Sequence, residues 1–343
     1  MKSKYFLLFI LVVILFISCK KDQEYITINS NVPTINNSGF RIHDTFKLQF
    51  GAVNFNVDSF LIQINGKKFQ TNNIALTTEN IDYGINSLKV TYFYDGGRKY
   101  DEYATFGVFS KTPETPITYK LEQEYFHNSN SFTQGLFYEN GILYESSGLY
   151  KKSFLVKYPL GSKTYSEEKK QDDKYFSEGI TRFGDKIYML TWQERRLLEY
   201  DYETLELVRE LELPVSVKEG WGICTDGENL IISDGTQYLY FTKIIDNQII
   251  IKKSLQIVGH SNIYNYLNEL EYIDGYIFAN VWGQNIILKI NPKDGLVEGV
   301  LDLTALATNK TKDQVLNGIA YINPQTLLVT GKNWDKMYRI RMN

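Results

Sequence analysis

Side chains that can do chemistry recur at matching places in the second two thirds of the chain. About every 45 residues, a polar or aromatic residue stands before a glycine and an aliphatic residue, and Glu269 replaces the glycine in one copy. The residues at this first position are Gln134, Glu178, Trp221, Asn268 and Asn317. A second set follows one hairpin later and comprises Glu145 with Ser146, Trp192, Asp234, Trp282 and Lys332. Carboxylates transfer protons, lysine and asparagine donate hydrogen bonds to developing negative charge, and tryptophan rings hold cations.

The elements that carry these residues have the pattern of a repeated four-stranded unit. Each copy begins with an apolar run, a turn and a second apolar run, and two further runs follow most copies. The turns are Asn140-Gly141, Gly184-Asp185, Asp226-Gly227, Asp274-Gly275 and Asn323-Pro324. Four strands per unit of this length are typical of a β-propeller blade. We therefore expect an all-β fold, with a five-bladed β-propeller over residues 117–343.

Propeller geometry brings the two residue sets together. The first two strands of a blade are antiparallel, so residues before the first and after the second lie at the same end of the central axis. Three of the four tryptophans occupy these positions, which favours a binding site. The alternative for each tryptophan is packing between neighbouring sheets. For the repeated glycines, close backbone packing near the axis is the prediction; they are Gly135, Gly179, Gly222 and Gly318.

A smaller β-rich region precedes the repeats. Residues 33–110 contain alternating strands and the hairpin turns Asn65-Gly66 and Asp95-Gly96-Gly97. About 80 residues of short strands without helical periodicity predict a small immunoglobulin-like β-sandwich. Residues 111–116 contain two prolines and no apolar run, so they are expected to form a linker.

The N-terminus has the features of a targeting segment. Lys2 and Lys4 precede an apolar run that ends before Cys19. This pattern resembles a bacterial lipoprotein signal peptide, with residues 1–18 removed, a lipid on Cys19 and a tether over residues 19–32. An uncleaved membrane anchor or a plain signal peptide are the alternatives, although the apolar run is short for a spanning helix. The expected location is the bacterial cell envelope, on a lipid anchor.

Composition limits the remaining functions. The net charge of -3 gives no support for nucleic-acid binding. Three histidines and two cysteines leave little material for a His- or Cys-based metal cluster. With Cys19 lipidated, Cys224 has no partner for an intramolecular disulfide, and its apolar surroundings favour a buried small side chain.

The motifs of the repeats resemble those of the plant- and bacterial-type glutaminyl-peptide cyclotransferases, the glutamine cyclotransferase family. The matching stretches run in order through all five units and are Phe132–Leu136, Tyr144–Tyr150, Glu178–Thr181, Leu190–Trp192, Gly220–Gly222, Leu267–Tyr272, Ala279–Trp282, Val315–Ala320 and Thr330–Trp334. A departure is Lys151-Lys152, where the family pattern has a glycine. The resemblance implies a five-bladed propeller that cyclises the N-terminal glutamine of peptides to pyroglutamate and releases ammonia. It implies no cofactor and no catalytic zinc.

The resemblance also implies roles for the residues at the mouth of the axis. Glu178 is the expected general acid and base, and Lys332 and Asn268 are expected to stabilise the oxyanion. The expected substrate-binding residues are Gln134, Trp192, Trp221, Glu269, Trp282 and Asn317. The implied substrate is a peptide with an N-terminal glutamine. The N-terminal segment separately predicts a membrane partner, reached through Cys19, and the protein is expected to be a monomer.

A non-catalytic function stays open from the sequence. The same site at the mouth of the central axis could bind a peptide or sugar without reacting. The protein would then be a lipoprotein whose sandwich docks to another protein. Some polar residues have simpler explanations: Asp234 precedes Gly235 as in a turn, Glu145 is as compatible with structure as with catalysis, and His127 and His260 are expected in loops.

Overall fold

The computed structural model describes residues 28–30, 39–50 and 57–343. The predicted signal peptide, Cys19 and most of the tether lie outside the described residues. Strands and turns make up almost all of the described chain, so the all-β prediction is confirmed. The helical structure within these ranges is a single 3-10 turn, Thr304–Ala307. Nowhere in the described ranges is a helix long and apolar enough to span a membrane.

The first eight strands of the described chain form two sheets. In chain order they are β1 (Ile28–Ser30), β2 (Phe40–Arg41), β3 (Thr45–Phe50), β4 (Val57–Ile64), β5 (Lys67–Phe69), β6 (Asn73–Ala75), β7 (Gly84–Tyr94) and β8 (Arg98–Phe109). One sheet has the order β1-β3-β6 and the other the order β2-β8-β7-β4-β5. The predicted turns Asn65-Gly66 and Asp95-Gly96-Gly97 join β4 to β5 and β7 to β8, as expected.

One apolar core lies between these two sheets. Phe46 from the small sheet meets Phe106 from the large one, with ring centroids 5.6 Å apart, and Phe40 packs edge-on against Phe106 at 5.5 Å. Ile62 and Val90 from the large sheet complete the centre of the cluster. Buried and more exposed residues alternate along the first part of β7, which gives the large sheet a buried face.

The repeats form five sheets, each beginning with three or four consecutive antiparallel strands. Sheet 1 contains β11 (Thr133–Glu139), β12 (Ile142–Ser147), β13 (Phe154–Pro159) and β14 (Glu167–Lys170); sheet 2 contains β15 (Ser177–Phe183), β16 (Lys186–Thr191), β17 (Arg196–Asp201) and β18 (Leu207–Glu212); sheet 3 contains β19 (Ile223–Thr225), β20 (Leu230–Ser233), β21 (Tyr238–Ile245) and β22 (Gln248–Gln256); sheet 4 contains β23 (Leu267–Ile273), β24 (Tyr276–Val281), β25 (Ile286–Ile290) and β26 (Val297–Asp302); sheet 5 contains β27 (Leu316–Asn323), β28 (Thr326–Gly331) and β29 (Lys336–Met342). The predicted turns connect the first two strands of every sheet.

The five sheets contact one another in a cycle. The first strands pack in the order β11, β15, β19, β23 and β27, and β27 packs back on β11. An apolar cluster lies between each pair of consecutive sheets, and a further cluster joins sheet 5 to sheet 1 through Leu328 and Leu136. We call the end of this cycle where the first strands begin and the second strands end the mouth.

A strand from before the first repeat completes sheet 5. Strand β10 (Tyr119–Phe126) pairs antiparallel with β29, from Tyr119 opposite Met342 to Phe126 opposite Lys336. Cross-strand ion pairs add to this pairing, with Glu122 accepting from Arg339 at 3.0 Å and from Arg341 at 2.7 Å. The outer strand of the last sheet therefore comes from the opposite end of the repeat region.

The predicted linker contains regular structure. Thr115–Ile117 forms strand β9, which pairs in parallel with β26 at the edge of sheet 4. The preceding sheets also touch the repeats directly, since Gln256 donates to Ile85 O and accepts from Ile85 N, both at 2.9 Å. The sequence around β9 has no apolar run and so gave no signal for a strand. The strand forms because the edge of sheet 4 supplies its hydrogen-bonding partner.

Candidate active site

The first strands are irregular where they begin at the mouth. In four of the five sheets the pairing between the first two strands shifts, between Thr133 and Gly135, Ser177 and Ile180, Leu267 and Leu270, and Leu316 and Ile319. A β-bulge takes residues out of the ladder and redirects their side chains. The residues skipped in this way include Gln134, Glu178, Asn268, Glu269 and Asn317. The bulges thus separate most of the predicted first-position residues from regular strand pairing.

Close approach between neighbouring first strands requires glycine after the mouth residue. A Cβ on Gly135 would lie 2.3 Å from Ile180 N, and one on Gly222 would lie 1.9 Å from Asn268 O. Both distances are shorter than any real contact, so the predicted close backbone packing is confirmed at these positions. In sheet 4 the equivalent residue is Glu269.

Glu178 is a buried carboxylate at the mouth end of sheet 2, with 5% of its surface exposed. Its Oε1 accepts a hydrogen bond of 3.0 Å from Gln134 Nε2 on sheet 1. Burial raises the pKa of Glu178 well above its usual range; the Lys332 charge opposes that rise, and Glu219 and Glu194 add to it. A raised carboxyl pKa suits a group that both accepts and donates a proton during a reaction.

Lys332 is the buried cation of the same region. It follows the second strand of sheet 5 and is 5% exposed. Its Nζ lies 4.8 Å from the centroid of the Phe132 ring, a cation–π contact. Burial lowers the pKa of Lys332, and the negative charge of Glu178 opposes this. Glu178 and Lys332 therefore influence each other's protonation across the mouth.

An amide chain orients the Glu178 carboxylate. Asn317 Nδ2 donates to Thr133 O at 2.9 Å and to Gln134 Oε1 at 3.3 Å. Because Gln134 Oε1 accepts from Asn317, its Nε2 is left to donate to Glu178. The three side chains come from sheets 5, 1 and 2 and are all buried. They form a connected support for the carboxylate.

Two buried amide oxygens at the mouth lack a hydrogen-bond partner within the described part of the chain. They are Asn268 Oδ1 and Asn317 Oδ1. Asn268 is also held by its main chain, whose carbonyl accepts from Ser233 Oγ at 2.7 Å. Buried polar atoms are nearly always paired, so each of these oxygens has capacity for a bound polar group.

Aromatic rings from several sheets line the mouth. The Trp221 and Trp282 rings pack edge to face, with centroids 6.2 Å apart, and Trp282 contacts Tyr266 at 5.9 Å. On the other side, Trp192 packs on Phe176 at 5.4 Å. Trp282 is 46% exposed, which a purely structural ring between sheets would not be. The three predicted tryptophans thus lie in two aromatic groups that remain accessible.

Glu219 joins these two aromatic groups, and no sequence pattern indicated it. The indole Nε1 of Trp192 donates to Glu219 Oε2 at 2.6 Å, and Nε1 of Trp221 donates to the same oxygen at 2.9 Å. Glu219 stands in a loop two residues before Trp221. A carboxylate near a first-position tryptophan was the available signal, but an acidic loop residue is ordinarily solvated.

Glu194 is a further carboxylate at the mouth that the sequence did not indicate. It accepts a hydrogen bond of 2.7 Å from the hydroxyl of Tyr150. Burial, followed by the charges of Glu194, Glu178 and Glu219, raises the pKa of Tyr150 to about 12. Three carboxylates and one lysine give this region a negative character that favours a cationic ligand.

Glu269 has a different environment from Glu178. Its Oε2 accepts from Ile319 N at 2.9 Å and its Oε1 from Leu136 N at 3.4 Å. The side chain is fully buried. Burial and Glu271 raise the pKa of Glu269, and the two main-chain N–H groups oppose the rise. The carboxylate connects the first strands of sheets 5 and 1 from its own position on sheet 4.

Glu145 and Asp234, from the second residue set, are engaged in structure. Glu145 is fully buried and accepts from Tyr158 at 2.6 Å, while His127 Nε2 lies 3.0 Å away. Burial alone would lower the pKa of His127, but the charge and hydrogen bond of Glu145, together with the hydrogen bond to the Trp334 carbonyl and the charge of Asp335, raise it. Asp234 Oδ1 accepts from Thr236 N, as its expected turn requires. His127 is in a loop, as predicted, but is buried and paired.

No group of three or more His, Cys, Asp or Glu side chains within the described ranges is arranged to hold a metal ion. Cys224 is a free, buried thiol. Burial raises its pKa well above the usual range, and nearby carboxylates, Glu271 first among them, add to the rise.

Comparisons with known proteins agree with this architecture. Residues 101–342 match the family model described as glutamine cyclotransferase. A glutaminyl-peptide cyclotransferase of Arabidopsis thaliana is 38% identical over 231 residues, which are 64% of this chain and 69% of the relative. The crystal structure of Myxococcus xanthus glutaminyl cyclase superposes with a TM-score of 0.61 at 30% identity, covering 67% of this chain and 98% of that one.

The fold and site define an all-β protein with a buried carboxylate and lysine at an aromatic mouth. The chain belongs to the glutamine cyclotransferase family. The resemblance found in the sequence motifs is therefore confirmed.

Proposed function

We propose that this protein is a glutaminyl-peptide cyclotransferase, which converts the N-terminal glutamine of peptides to pyroglutamate and releases ammonia. Family membership and the names of both relatives support this activity. The observation that carries the proposal is the buried carboxylate of Glu178, which shares an aromatic, negatively charged mouth with the buried Lys332. A peptide amine is cationic, an amide carbonyl becomes an oxyanion, and this mouth offers a group for each.

The proposed framework is a five-bladed β-propeller preceded by an immunoglobulin-like sandwich. The cyclic packing of the first strands and the five inter-sheet clusters support the propeller. The shared core of the two preceding sheets supports the sandwich. The proposed boundaries are residues 33–110 for the sandwich and 117–343 for the propeller, with residues 111–116 between them.

Glu178 is the proposed proton carrier. The neutral α-amine attacks the side-chain amide carbon, so a C–N bond forms and the amide oxygen takes up negative charge. Glu178 accepts the proton that the amine loses. It then donates a proton to the amide nitrogen, the second C–N bond breaks and ammonia leaves. Burial raises the pKa of Glu178, which favours return of the proton from this carboxyl group to the leaving nitrogen.

Lys332 and Asn268 are the proposed partners of the oxyanion. One well-placed donor to a developing oxyanion contributes about 3–4 kcal/mol to transition-state stabilisation. A buried ammonium group is suited to this role because water does not screen it. The unpaired Asn268 Oδ1 offers an additional acceptor for the substrate amine.

The remaining site residues receive binding and supporting roles. Trp192, Trp221 and Trp282 are proposed to surround the glutamine side chain and its amine. Gln134 and Asn317 are proposed to orient Glu178 through their amide chain. Because main-chain N–H groups occupy both oxygens of Glu269, a structural role replaces the substrate contact expected from the sequence.

No step of this mechanism calls for a metal ion or an organic cofactor. Proton transfer is assigned to a carboxylate, and charge stabilisation to a lysine and an asparagine. The proposal is therefore a metal-independent reaction, and activity is expected to persist in the presence of a chelator.

Lipid anchoring is proposed on the sequence alone. The basic residues, the apolar run and the position of Cys19 support a lipoprotein of the bacterial cell envelope. A Cys19→Ala variant is expected to move from the membrane fraction to the soluble fraction when cells are disrupted. Retention of the variant in the membrane fraction would overturn the anchor.

The test of the activity is ammonia release from a peptide that begins with glutamine. The purified protein should release one ammonia per peptide, and mass spectrometry should show the matching loss. The same peptide with an acetylated amine has no nucleophile, and one that begins with asparagine would have to close a four-membered ring, so neither should react. A folded protein that binds the glutamine peptide without turnover would instead support the non-catalytic alternative.

A further inference from the structure

Glu219 connects two tryptophans that come from different sheets. Trp192 directly follows the second strand of sheet 2, and Trp221 precedes the first strand of sheet 3. A single oxygen, Glu219 Oε2, accepts the indole hydrogen bonds of both rings, at 2.6 and 2.9 Å. Hydrogen bonds to a charged acceptor are roughly twice as strong as neutral ones. The carboxylate therefore restrains both rings at once.

The position of the Glu219 carboxylate has an electrostatic cost that a purely structural role does not explain. Glu219 lies near two other carboxylates, Glu178 and Glu194, and like charges repel at short range. Trp192 and Trp221 are only half-buried, so water could satisfy their indole N–H groups. A neutral acceptor would hold the rings without the repulsion.

We infer that Glu219 is a positioning residue, which sets Trp192 and Trp221 as one wall of the glutamine pocket and places a second negative charge beside Glu178. The inference rests on the proposed cyclotransferase function. The wall would limit the orientations of the bound glutamine side chain. The charge would keep Glu178 ready to hold a proton.

The charge effect has a defined direction. The charged groups that shift the pKa of Glu178 are Lys332, Glu219 and Glu194. Glu178 in turn contributes to the raised pKa of Tyr150. Glu219 is one of the two carboxylates that raise the pKa of Glu178. Removing its charge lowers that pKa, so Glu178 ionises at lower pH. The acid limb of the pH–activity profile then moves to lower pH.

Two substitutions separate the two effects. Glu219→Gln keeps an oxygen acceptor for the indoles but removes the charge, and Glu219→Ala removes both. The matched control is Glu210→Gln. Glu210 lies on β18, the outer strand of sheet 2, and its carboxylate accepts a hydrogen bond of 2.6 Å from the hydroxyl of Tyr175. Ammonia release from a glutamine peptide gives kcat and KM across pH, and thermal unfolding reports the fold.

The expected results differ among the three variants. Glu219→Ala should raise KM about tenfold through the lost charged hydrogen bonds, with a smaller effect on kcat. Glu219→Gln should retain a KM close to wild type while its acid limb moves to lower pH, and Glu210→Gln should change neither. A wild-type KM in Glu219→Ala would overturn the role in the wall. An acid limb of the pH–activity profile that does not shift in Glu219→Gln would overturn the role of the charge. This result tests the charge even if Glu219→Ala does not fold.

A second measurement keeps this inference separate from the proposed reaction. Binding of a pyroglutamyl peptide, followed by tryptophan fluorescence, requires no turnover. If wild-type protein binds this product but releases no ammonia, the cyclotransferase proposal fails while weaker binding by Glu219→Ala still supports the wall. Equal binding by the variant and wild type contradicts the wall whatever the activity.

Discussion

Glu178 and Glu269 are two buried carboxylates in one cycle of first strands, but they have different partners. A side-chain amide, Gln134, donates to Glu178, and a buried lysine lies near it. Two main-chain N–H groups on two other sheets donate to Glu269. A carboxylate bound by backbone on both oxygens cannot give up those contacts without disturbing strands. A carboxylate with a single side-chain donor retains lone pairs for proton transfer.

The largest expected effect is on the reaction itself. Glu178→Gln keeps the side-chain volume and an oxygen for Gln134 but cannot carry a proton, so kcat should fall by about 10²–10⁴. Thermal unfolding should show a folded protein. Glu139→Gln, at the opposite end of β11, is the control and should retain activity. A fully active Glu178→Gln would place the proton transfer on another group.

Lys332→Met should have the next largest effect. It keeps the apolar stem but removes the proposed oxyanion donor, so kcat should fall by about 10²–10³. It also removes the charge that opposes the rise in the pKa of Glu178. The remaining activity should therefore have its acid limb at higher pH, as a pH–rate profile would reveal. Lys336→Met, which removes a partly exposed lysine paired with Glu124 on β10, should leave both quantities unchanged. A wild-type kcat in Lys332→Met would exclude Lys332 from the chemistry.

Glu269→Gln should affect stability rather than turnover. Its amide nitrogen cannot accept a hydrogen bond, so either Ile319 N or Leu136 N loses its acceptor at a cost of about 1–3 kcal/mol. Denaturant unfolding should show this loss while kcat/KM stays close to wild type. Glu298→Gln, at an exposed side chain of β26, should show neither change. If Glu269→Gln lost turnover but kept its stability, Glu269 would belong with the catalytic residues and the contrast with Glu178 would fail.

The smallest expected effect is a pH dependence of stability. The pKa of Glu178 is raised in the folded protein, so the native state binds its proton more tightly than the unfolded chain does. Its favourable contribution is complete below the unfolded pKa of about 4.3 and is lost as pH rises through the folded pKa. Glu178→Gln does not titrate, so its unfolding midpoint should rise relative to wild type as the pH increases above about 4. A difference that narrows as the pH increases would contradict the raised pKa.

Local patterns were enough to predict the hairpins of the repeats and the residues at the mouth. The turn residues such as Asn140-Gly141 fix hairpins by their own conformational preferences, and glycines such as Gly135 mark close backbone approach. Since both signals repeat along the chain, the order of the first and second strands follows. The first-position residues could therefore be assigned to one end of the repeats before any contact was known.

Contacts between distant residues were not predictable in this way. Glu219 accepts from Trp192, which lies 27 residues earlier, and nothing in an acidic loop specifies that partner. In the sequence, Glu269 was visible only as a departure from the repeated glycine. Its carboxylate accepts from main-chain N–H groups on two other sheets, and no local pattern indicates those partners. Strand β9 likewise depends on the edge of β26. Each of these features arises from packing between sheets rather than from local sequence.

The pairing of β10 with β29 has a consequence for synthesis. Glu122 and Arg339 are 217 residues apart, yet their strands lie side by side in sheet 5. Strand β10 is made before any repeat but finds its partner only after β29 has left the ribosome. Until then the edge of β28 and the apolar faces of sheets 5 and 1 lack their final cover. Long-range closure of this kind slows folding, and the nascent chain must avoid association with other chains during that interval.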